Sequence, residues 1–319
     1  MARRLVVAVA QLTDAHRSEI RAAATRHGFE ALFFDAVEDA LPAAEAAEVL
    51  LTDSPRLAQA ARALRWVCTP AAGVDAFVVP GALPRGAMLS NSSGAYGVTI
   101  AEHIVMVTLE LMRRQRDYDA IVARRAWRRD LAVRSILGCR TLILGTGDIG
   151  REAAVRLRAF RPARLVGLNR SGYNPGGLFD RCIAPEALDD ALPEADLVVL
   201  CLPATEATRR LLDARRLSML HEGAILVNVG RGSAVDQSAL ERLLRAGRLS
   251  AALDVFEEEP LPPGHGLWSC PNLLITPHVA GNMTLPYTLD RIAALFLEDF
   301  DNYCAGRPLA RRVDPAKGY

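Results

Sequence analysis

Apolar residues fall along this chain in short unbroken runs. Between the runs they recur every three or four positions. LVVAVA (5–10) is the first run, and a helix-patterned stretch follows it to about Arg26. EVLLT (48–52) and RWVCT (65–69) are two more. A second series begins near Arg140: TLILG (141–145), RLVGLN (164–169), DLVVLCL (196–202), AILVNV (224–229), SAALDVF (250–256) and LLITP (273–277). Runs this continuous predict strands buried on both faces, as in parallel sheets covered by helices. Right-handed crossovers wind such strands into α/β domains of the doubly wound, Rossmann-like kind.

Two longer helical patterns bracket the second series. One runs from Gly97 to about Arg116, with Ile100, Ile104, Val107 and Leu111 on one face. The other runs from about Leu285 to Tyr303, with Leu289, Ile292, Leu295, Phe296 and Phe300. A chain of 319 residues, half of them hydrophobic, suits two domains of ordinary size.

Composition narrows the function by exclusion. The 38 basic and 37 acidic residues leave a net charge of +1, so nothing global recruits nucleic acid or an anionic membrane. Lys317 is the only lysine, which reads as lineage bias. The Arg-rich stretch from Arg113 to Arg129 is broken by Asp117 and Asp119 and followed by Asp130; it reads as a solvated or subunit-facing surface. No apolar run approaches the roughly twenty residues that span a bilayer. The run near Met1 is short for a signal peptide and reads as a buried strand. Cys68, Cys139, Cys182, Cys201, Cys270 and Cys304 form no CxxC pair and have no histidine at ligand spacing. Reduced thiols in a cytoplasmic protein without a metal site are expected.

Gly145-Thr146-Gly147-Asp148-Ile149-Gly150 is a GxGxxG turn directly after the strand TLIL and before a helical stretch. That context makes it a dinucleotide fingerprint. Gly145 permits the tight turn, Gly147 lets backbone approach a pyrophosphate, and Gly150 lets helix and strand pack closely. The helix N-terminal amides, from Asp148 and Ile149 onward, face the phosphate charge. NAD enzymes place a carboxylate about twenty residues further on, against the ribose 2′-hydroxyl. Here that strand end is Asn169-Arg170-Ser171, without a carboxylate. A guanidinium and a hydroxyl suit a 2′-phosphate, so NADP(H) is favoured over NAD(H), with NAD(H) possible if Arg170 only stacks on adenine.

Further motifs follow in register: LCLPATEATRRLLD (200–213), ILVNVGRGSAVD (225–236), AALDVFEEEPLP (251–262) and LWSCPNLLITPHVAG (267–281). With NSSGAYGVTIAEH (91–103), they closely resemble the D-isomer-specific 2-hydroxyacid dehydrogenases. The resemblance runs from about Trp66 through the closing RPLARRVDPAKGY, and the first fifty residues match only in pattern. It implies a discontinuous substrate-binding domain, residues 1–100 and 285–319, and a dinucleotide-binding domain, residues 101–284. An active-site cleft would lie between the two Rossmann-like domains, and the protein would be a homodimer.

The family's catalytic trio maps onto Arg231, Glu259 and His278. Reducing a 2-oxo acid needs a hydride at the carbonyl carbon, a proton at its oxygen and a grip on the carboxylate. Arg231 supplies a planar cationic fork for the carboxylate and the ketone. Histidine titrates near neutrality, so His278 can deliver the proton. Glu259 would stabilise the imidazolium; it is chosen over Glu257 and Glu258 because the family's glutamate directly precedes the proline.

The resemblance also implies supporting roles. Asp254 would orient the nicotinamide carboxamide. Leu202, Pro203, Thr208, Asn228, Val229, Gly230 and Thr99 would lie along the cofactor. Ala72, Gly73 and Val74 would offer backbone amides to the substrate carboxylate, and small residues there permit close approach. Trp268 would cover the site or sit in a core. The chain ends soon after its last helical pattern, unlike the longer phosphoglycerate dehydrogenases. LLTDSPR (50–56) offers only Arg56 for a substrate phosphate. A small unphosphorylated 2-oxo acid is therefore expected, with glyoxylate and hydroxypyruvate leading. Two other functions fit the same fold: a catalytically silent NAD(P)-sensing protein, as in a corepressor branch, and a dehydrogenase of another substrate such as phosphite.

Overall fold

The computed structural model describes residues 3–314 and Gly318. Met1, Ala2, Pro315–Lys317 and Tyr319, which include part of the closing segment of the resemblance, lie outside the described residues. The chain divides into two units, one of Met1–Tyr96 with Asn282–Tyr319 and one of Gly97–Gly281.

The first unit is built on β1 (Arg3–Ala8), β2 (Phe29–Phe34), β3 (Val49–Thr52), β4 (Trp66–Cys68) and β5 (Met88–Ser90). They form a parallel sheet in the order β2-β1-β3-β4-β5. This is one of the two common doubly wound orders. Helices α1 (Asp14–Arg26), α2 (Val37–Ala44) and α3 (Pro55–Ala60) connect the strands. Helix α1 starts on a reciprocal cap. Thr13 Oγ1 accepts from the His16 backbone N–H, and His16 Nδ1 accepts from the Thr13 N–H. The strands β2 and β5 were not anticipated from the apolar runs.

The second unit opens with α4 (Gly97–Arg113) and α5 (Gln115–Ala123). One continuous helix was expected to about Arg116, but Arg114 takes φ 56° and ends α4 early. The buried face of α4 is Ile100, Ile104, Val107, Thr108 and Met112; Leu111 is only half-buried. Seven parallel strands follow: β6 (Arg140–Leu144), β7 (Arg164–Leu168), β8 (Arg181–Ile183), β9 (Leu197–Leu200), β10 (Ile225–Asn228), β11 (Ser250–Leu253) and β12 (Leu273–Ile275). Their order is β12-β11-β10-β9-β6-β7-β8. Helices α6 (Asp148–Ala159), α7 (Leu188–Ala191), α8 (Ala214–Met219) and α9 (Gln237–Arg245) complete the crossovers. The winding reverses between β6 and β9. Doubly wound sheets bind ligands beyond the strand carboxyl ends at such a reversal. The strands expected here are all present, and the edge strand β8 is additional.

Helix α10 (Pro286–Cys304) returns to the first unit. Its Phe296 and Phe300 stack near Trp66, with ring centroids 5.5 and 6.3 Å away, and all three are fully buried. Trp66 Nε1 donates to Ser90 Oγ at 2.9 Å, so the indole is not left with an unpaired polar atom. His16 Nε2 and His27 Nε2 tie α1 to Asp290 and Asp301 of α10 at 2.9 and 2.8 Å. Among the described residues no helix is long and apolar enough to cross a membrane. All six cysteines are free.

Candidate active site

At the reversal, the carboxyl end of β6 meets that of β9. Gly145 has φ 106°, and a Cβ there would lie 2.8 Å from the Cys201 carbonyl oxygen. Gly150 sits in the first turn of α6, where a Cβ would come within 1.9 Å of the Gly145 carbonyl oxygen. Any side chain there would force helix and strand apart. Gly147 differs, because a Cβ built on it meets nothing within 4 Å. Protein packing does not require that glycine; open space beside the backbone does. Gly147 is also the N-cap of α6 and no side chain caps the helix, so its first amides are left to an anion. These residues fit the pyrophosphate of a dinucleotide. Asp148 turns toward the start of α4, where a Cβ on Gly97 would lie 2.7 Å from both carboxylate oxygens. Ile149 is half-buried beside it.

The turn after β7 is shaped by its own side chains. Asn169 Nδ2 donates to Thr146 Oγ1 at 3.0 Å and to the Tyr173 carbonyl at 2.9 Å. Asn169 Oδ1 accepts from Ser171 N and Oγ at 3.1 and 3.2 Å. Asn169 and Ser171 thus build the turn, and Arg170 is exposed at its tip. Across the reversal, Thr208 does similar work. Its hydroxyl donates to the Pro203 carbonyl at 2.7 Å and accepts from Thr205 N at 2.9 Å. Leu202 is half-buried against Gly230, where a Cβ would lie 2.7 Å from the Leu202 carbonyl oxygen. Thr99 lies half-buried in the first turn of α4.

Arg231 follows β10 on a braced turn. Asn228 is 1% exposed; its Oδ1 accepts from Gly230 N at 3.1 Å and its Nδ2 donates to the Arg231 carbonyl at 3.0 Å. Val229 is buried beneath it. Arg231 Nη1 donates to the Gly230 carbonyl at 2.7 Å, which sets the near end of the guanidinium. The next residue, Gly232, touches the backbone of Phe256, and a Cβ there would fall 1.9 Å from the Phe256 carbonyl carbon. Phe256 N in turn donates to Glu259 Oε1 at 2.8 Å. The Arg231 turn and the Glu259 turn are thereby held backbone to backbone.

The other oxygen of Glu259 meets the histidine. His278 Nδ1 lies 2.7 Å from Glu259 Oε2. Glu259 thus accepts from Phe256 N–H at Oε1 and presents Oε2 as an acceptor to a proton-bearing His278 Nδ1. Their side chains are 53% and 35% exposed, so the pair adds only about 0.2–1 kcal/mol to stability. Its value is orientation. Among the described residues His278 Nε2 has no protein partner, so it is the ring nitrogen open to a substrate. His278 has φ 54°, a left-handed backbone that costs a non-glycine residue roughly 1–3 kcal/mol. Its own N–H donates to the Asp254 and Thr276 carbonyls at 2.9 and 3.0 Å.

Asp254 is 3% exposed, and both its carboxylate oxygens are engaged by the segment around His278. Two neighbours of this network lie inside the motifs of the resemblance but were given no role from the sequence. Thr276 donates to Asp254, and His103 on α4 reaches Thr276. Gln237, directly after one of those motifs, was likewise given none: its Oε1 accepts from Glu257 N at 3.1 Å and braces the EEEP turn. Trp268 Nε1 donates to the Pro262 carbonyl at 2.9 Å with the residue 52% exposed, so it is not a core tryptophan. Ala72, Gly73 and Val74 lie in the other unit, on the loop after β4, where Asn91 Nδ2 donates to the Ala72 carbonyl at 2.7 Å.

A dinucleotide turn at the sheet reversal, followed by a histidine–glutamate pair and an arginine on adjoining turns, defines an NAD(P)-dependent oxidoreductase. Residues 105–280 match the NAD binding domain of the D-isomer specific 2-hydroxyacid dehydrogenases. The chain belongs to that family. It is 36% identical to a glyoxylate reductase from Aeropyrum pernix over 251 residues, covering 74% of this chain and 73% of the relative. A D-isomer specific 2-hydroxyacid dehydrogenase from Xanthobacter autotrophicus, solved with NADPH and MES, superposes with a TM-score of 0.84. The two are 30% identical, covering all of both chains. An NADPH-dependent glyoxylate/hydroxypyruvate reductase from Sinorhizobium meliloti, solved with NADP and sulfate, gives a TM-score of 0.82. It is 26% identical, covering 99% of this chain and all of that one.

Proposed function

We propose that this chain is an NADPH-preferring reductase that converts a small 2-oxo acid, glyoxylate or hydroxypyruvate in type, to the D-2-hydroxy acid. The observation that carries the reading is the 2.7 Å His278–Glu259 bond, which leaves Nε2 free to act. NADPH would be held by Gly147 and the α6 N-terminus and would supply the hydride for the carbonyl carbon. His278 Nε2 donates a proton to the carbonyl oxygen, and Glu259 holds the ring and offsets its charge. Arg231 grips the carboxylate and polarises the ketone. The relatives named as glyoxylate reductases support the substrate class. The six free cysteines suit the cytoplasm.

A homodimer is part of the proposal. Val122, Trp127, Val133 and Leu137 stand exposed near α5 in the dinucleotide unit, and a second copy would cover them. Light scattering should give twice the chain mass; a monomer at micromolar concentration would remove this element.

Arg170 carries the cofactor preference. The test is oxidation of NADPH and NADH by the purified protein over glyoxylate, hydroxypyruvate, pyruvate, phenylpyruvate and 2-oxoisovalerate. Turnover with NADPH well above NADH is expected. Arg170→Asp should reverse the kcat/KM ratio by about 10- to 100-fold, since it replaces a phosphate-matched fork with a ribose acceptor. An unaltered ratio in Arg170→Asp would refute its role. Cofactor binding without turnover on any acid would favour a sensor.

A further inference from the structure

The acid His278 rests on a backbone that its own sequence does not favour, and a buried carboxylate holds it there. Asp254 Oδ1 accepts from Thr276 Oγ1 at 2.6 Å and from Val279 N at 2.9 Å. Asp254 Oδ2 accepts from Ala280 N at 3.0 Å. With the His278 N–H on the Asp254 carbonyl at 2.9 Å, residues on both sides of the imidazole are fixed to one aspartate. No guanidinium pairs with that carboxylate among the described residues; these donors hold it.

The donor Thr276 is itself directed. A hydroxyl has one proton and two lone pairs. Its proton goes to Asp254, so toward His103 Nε2, 3.3 Å away, it can only accept. His103 must therefore carry its proton on Nε2. Burial pushes the His103 pKa down, and the nearby Asp254 charge opposes this. The result is a three-member chain, His103 Nε2–H to Thr276 Oγ–H to Asp254 Oδ1. Each bond in such a chain polarises the next.

We propose that Thr276 and His103 are positioning residues for the general acid: they fix the Asp254 carboxylate, which fixes the left-handed backbone that aims His278. This rests on His278 being the proton donor, as proposed above. Both act through Asp254 and not on the substrate or the reacting atoms. Thr276→Val is nearly the same shape but lacks the hydroxyl. It leaves Asp254 short of one donor and His103 Nε2–H without an acceptor.

The test joins kinetics to two readouts that need no turnover. Thr276→Val should lower kcat about tenfold, the scale of one hydrogen bond to a charged group. Thr276→Ser should restore kcat, because it returns the hydroxyl. His103→Phe, which keeps the hydroxyl but removes its donor, should lower kcat by a smaller factor of about three. In parallel, amide exchange at Val279 and Ala280 should quicken in Thr276→Val, and the His278 imidazole signal in a ¹⁵N-edited spectrum should shift or broaden. Both should return to the wild-type pattern in Thr276→Ser. Wild-type kcat, exchange and imidazole signal in Thr276→Val would overturn the proposal, as would failure of serine to rescue. If the wild-type protein reduces no 2-oxo acid, the reductase reading fails, while exchange and the imidazole signal still decide the positioning role. Should Thr276→Val not fold, His103→Phe and the same two readouts carry the decision.

Discussion

His278→Ala should lower kcat for 2-oxo acid reduction by about 10²- to 10⁴-fold while leaving the Kd for NADPH nearly unchanged. The imidazole is held through Nδ1 by Glu259, and Nε2 is its only route to a substrate oxygen. Without it, in the proposed mechanism, the carbonyl oxygen would have to take its proton from water. The cofactor turn lies on β6 and α6, and its hydrogen bonds do not pass through His278, so binding should survive. One complication is local. Alanine is poor at φ 54°, and a lost backbone geometry could mimic a lost acid. Asparagine tolerates that conformation better. His278→Asn should therefore keep the loop and lose the acid, and it should be as slow as His278→Ala. Steady-state kinetics with NADPH fluorescence titration would show this. Wild-type turnover in either variant would end the proton-donor assignment.

How much of this could be read from the sequence follows from what each element buries. The interior strands of both sheets are covered on two faces, so β1, β3, β6, β7, β9 and β10 stand out as unbroken apolar runs. The three unanticipated strands are all edges. β5 and β8 are three residues long, and β2 keeps only Phe29 fully buried. An edge strand needs no continuous apolar run, so pattern alone does not find it. Helix α5 was missed for another reason: it lies in the Arg-rich stretch read as a surface and buries only Ile121, and the left-handed Arg114 that ends α4 leaves no apolar signature. The phosphate turn was legible from its glycines, but Arg231, Glu259 and His278 were legible only through the family resemblance that the motifs around them carry. Gly147, Gly232 and Pro277 sit beside the phosphate site, Arg231 and His278. His103 and Thr276 stand inside quoted motifs and Gln237 directly after one, but their roles were not legible. They act through long-range contacts of one atom each, which leave no periodic or spaced signature.

Arg231→Ala should cost about 10³- to 10⁴-fold in kcat/KM, divided between both kinetic constants. In the proposed mechanism the guanidinium has two tasks. A forked pair with the carboxylate is made in the ground state and raises KM when lost. Polarisation of the ketone grows as charge builds on oxygen, so its loss lowers kcat. The two tasks can be separated by Arg231→Lys. Lysine keeps the charge, so part of the polarisation should survive. It lacks the planar fork, so substrate grip should still be weak. The expected pattern is therefore a large KM effect in both variants, with kcat recovering substantially in lysine alone. The framework should tolerate these changes, because the turn is braced by Asn228 and by the Gly232–Phe256 contact, not by the guanidinium alone. NADPH affinity is the control, since Arg231 is assigned to the substrate. Unchanged kinetics in Arg231→Ala would remove Arg231 from the site. A fall in kcat with KM intact would assign it to the carbonyl only and leave the carboxylate to another group.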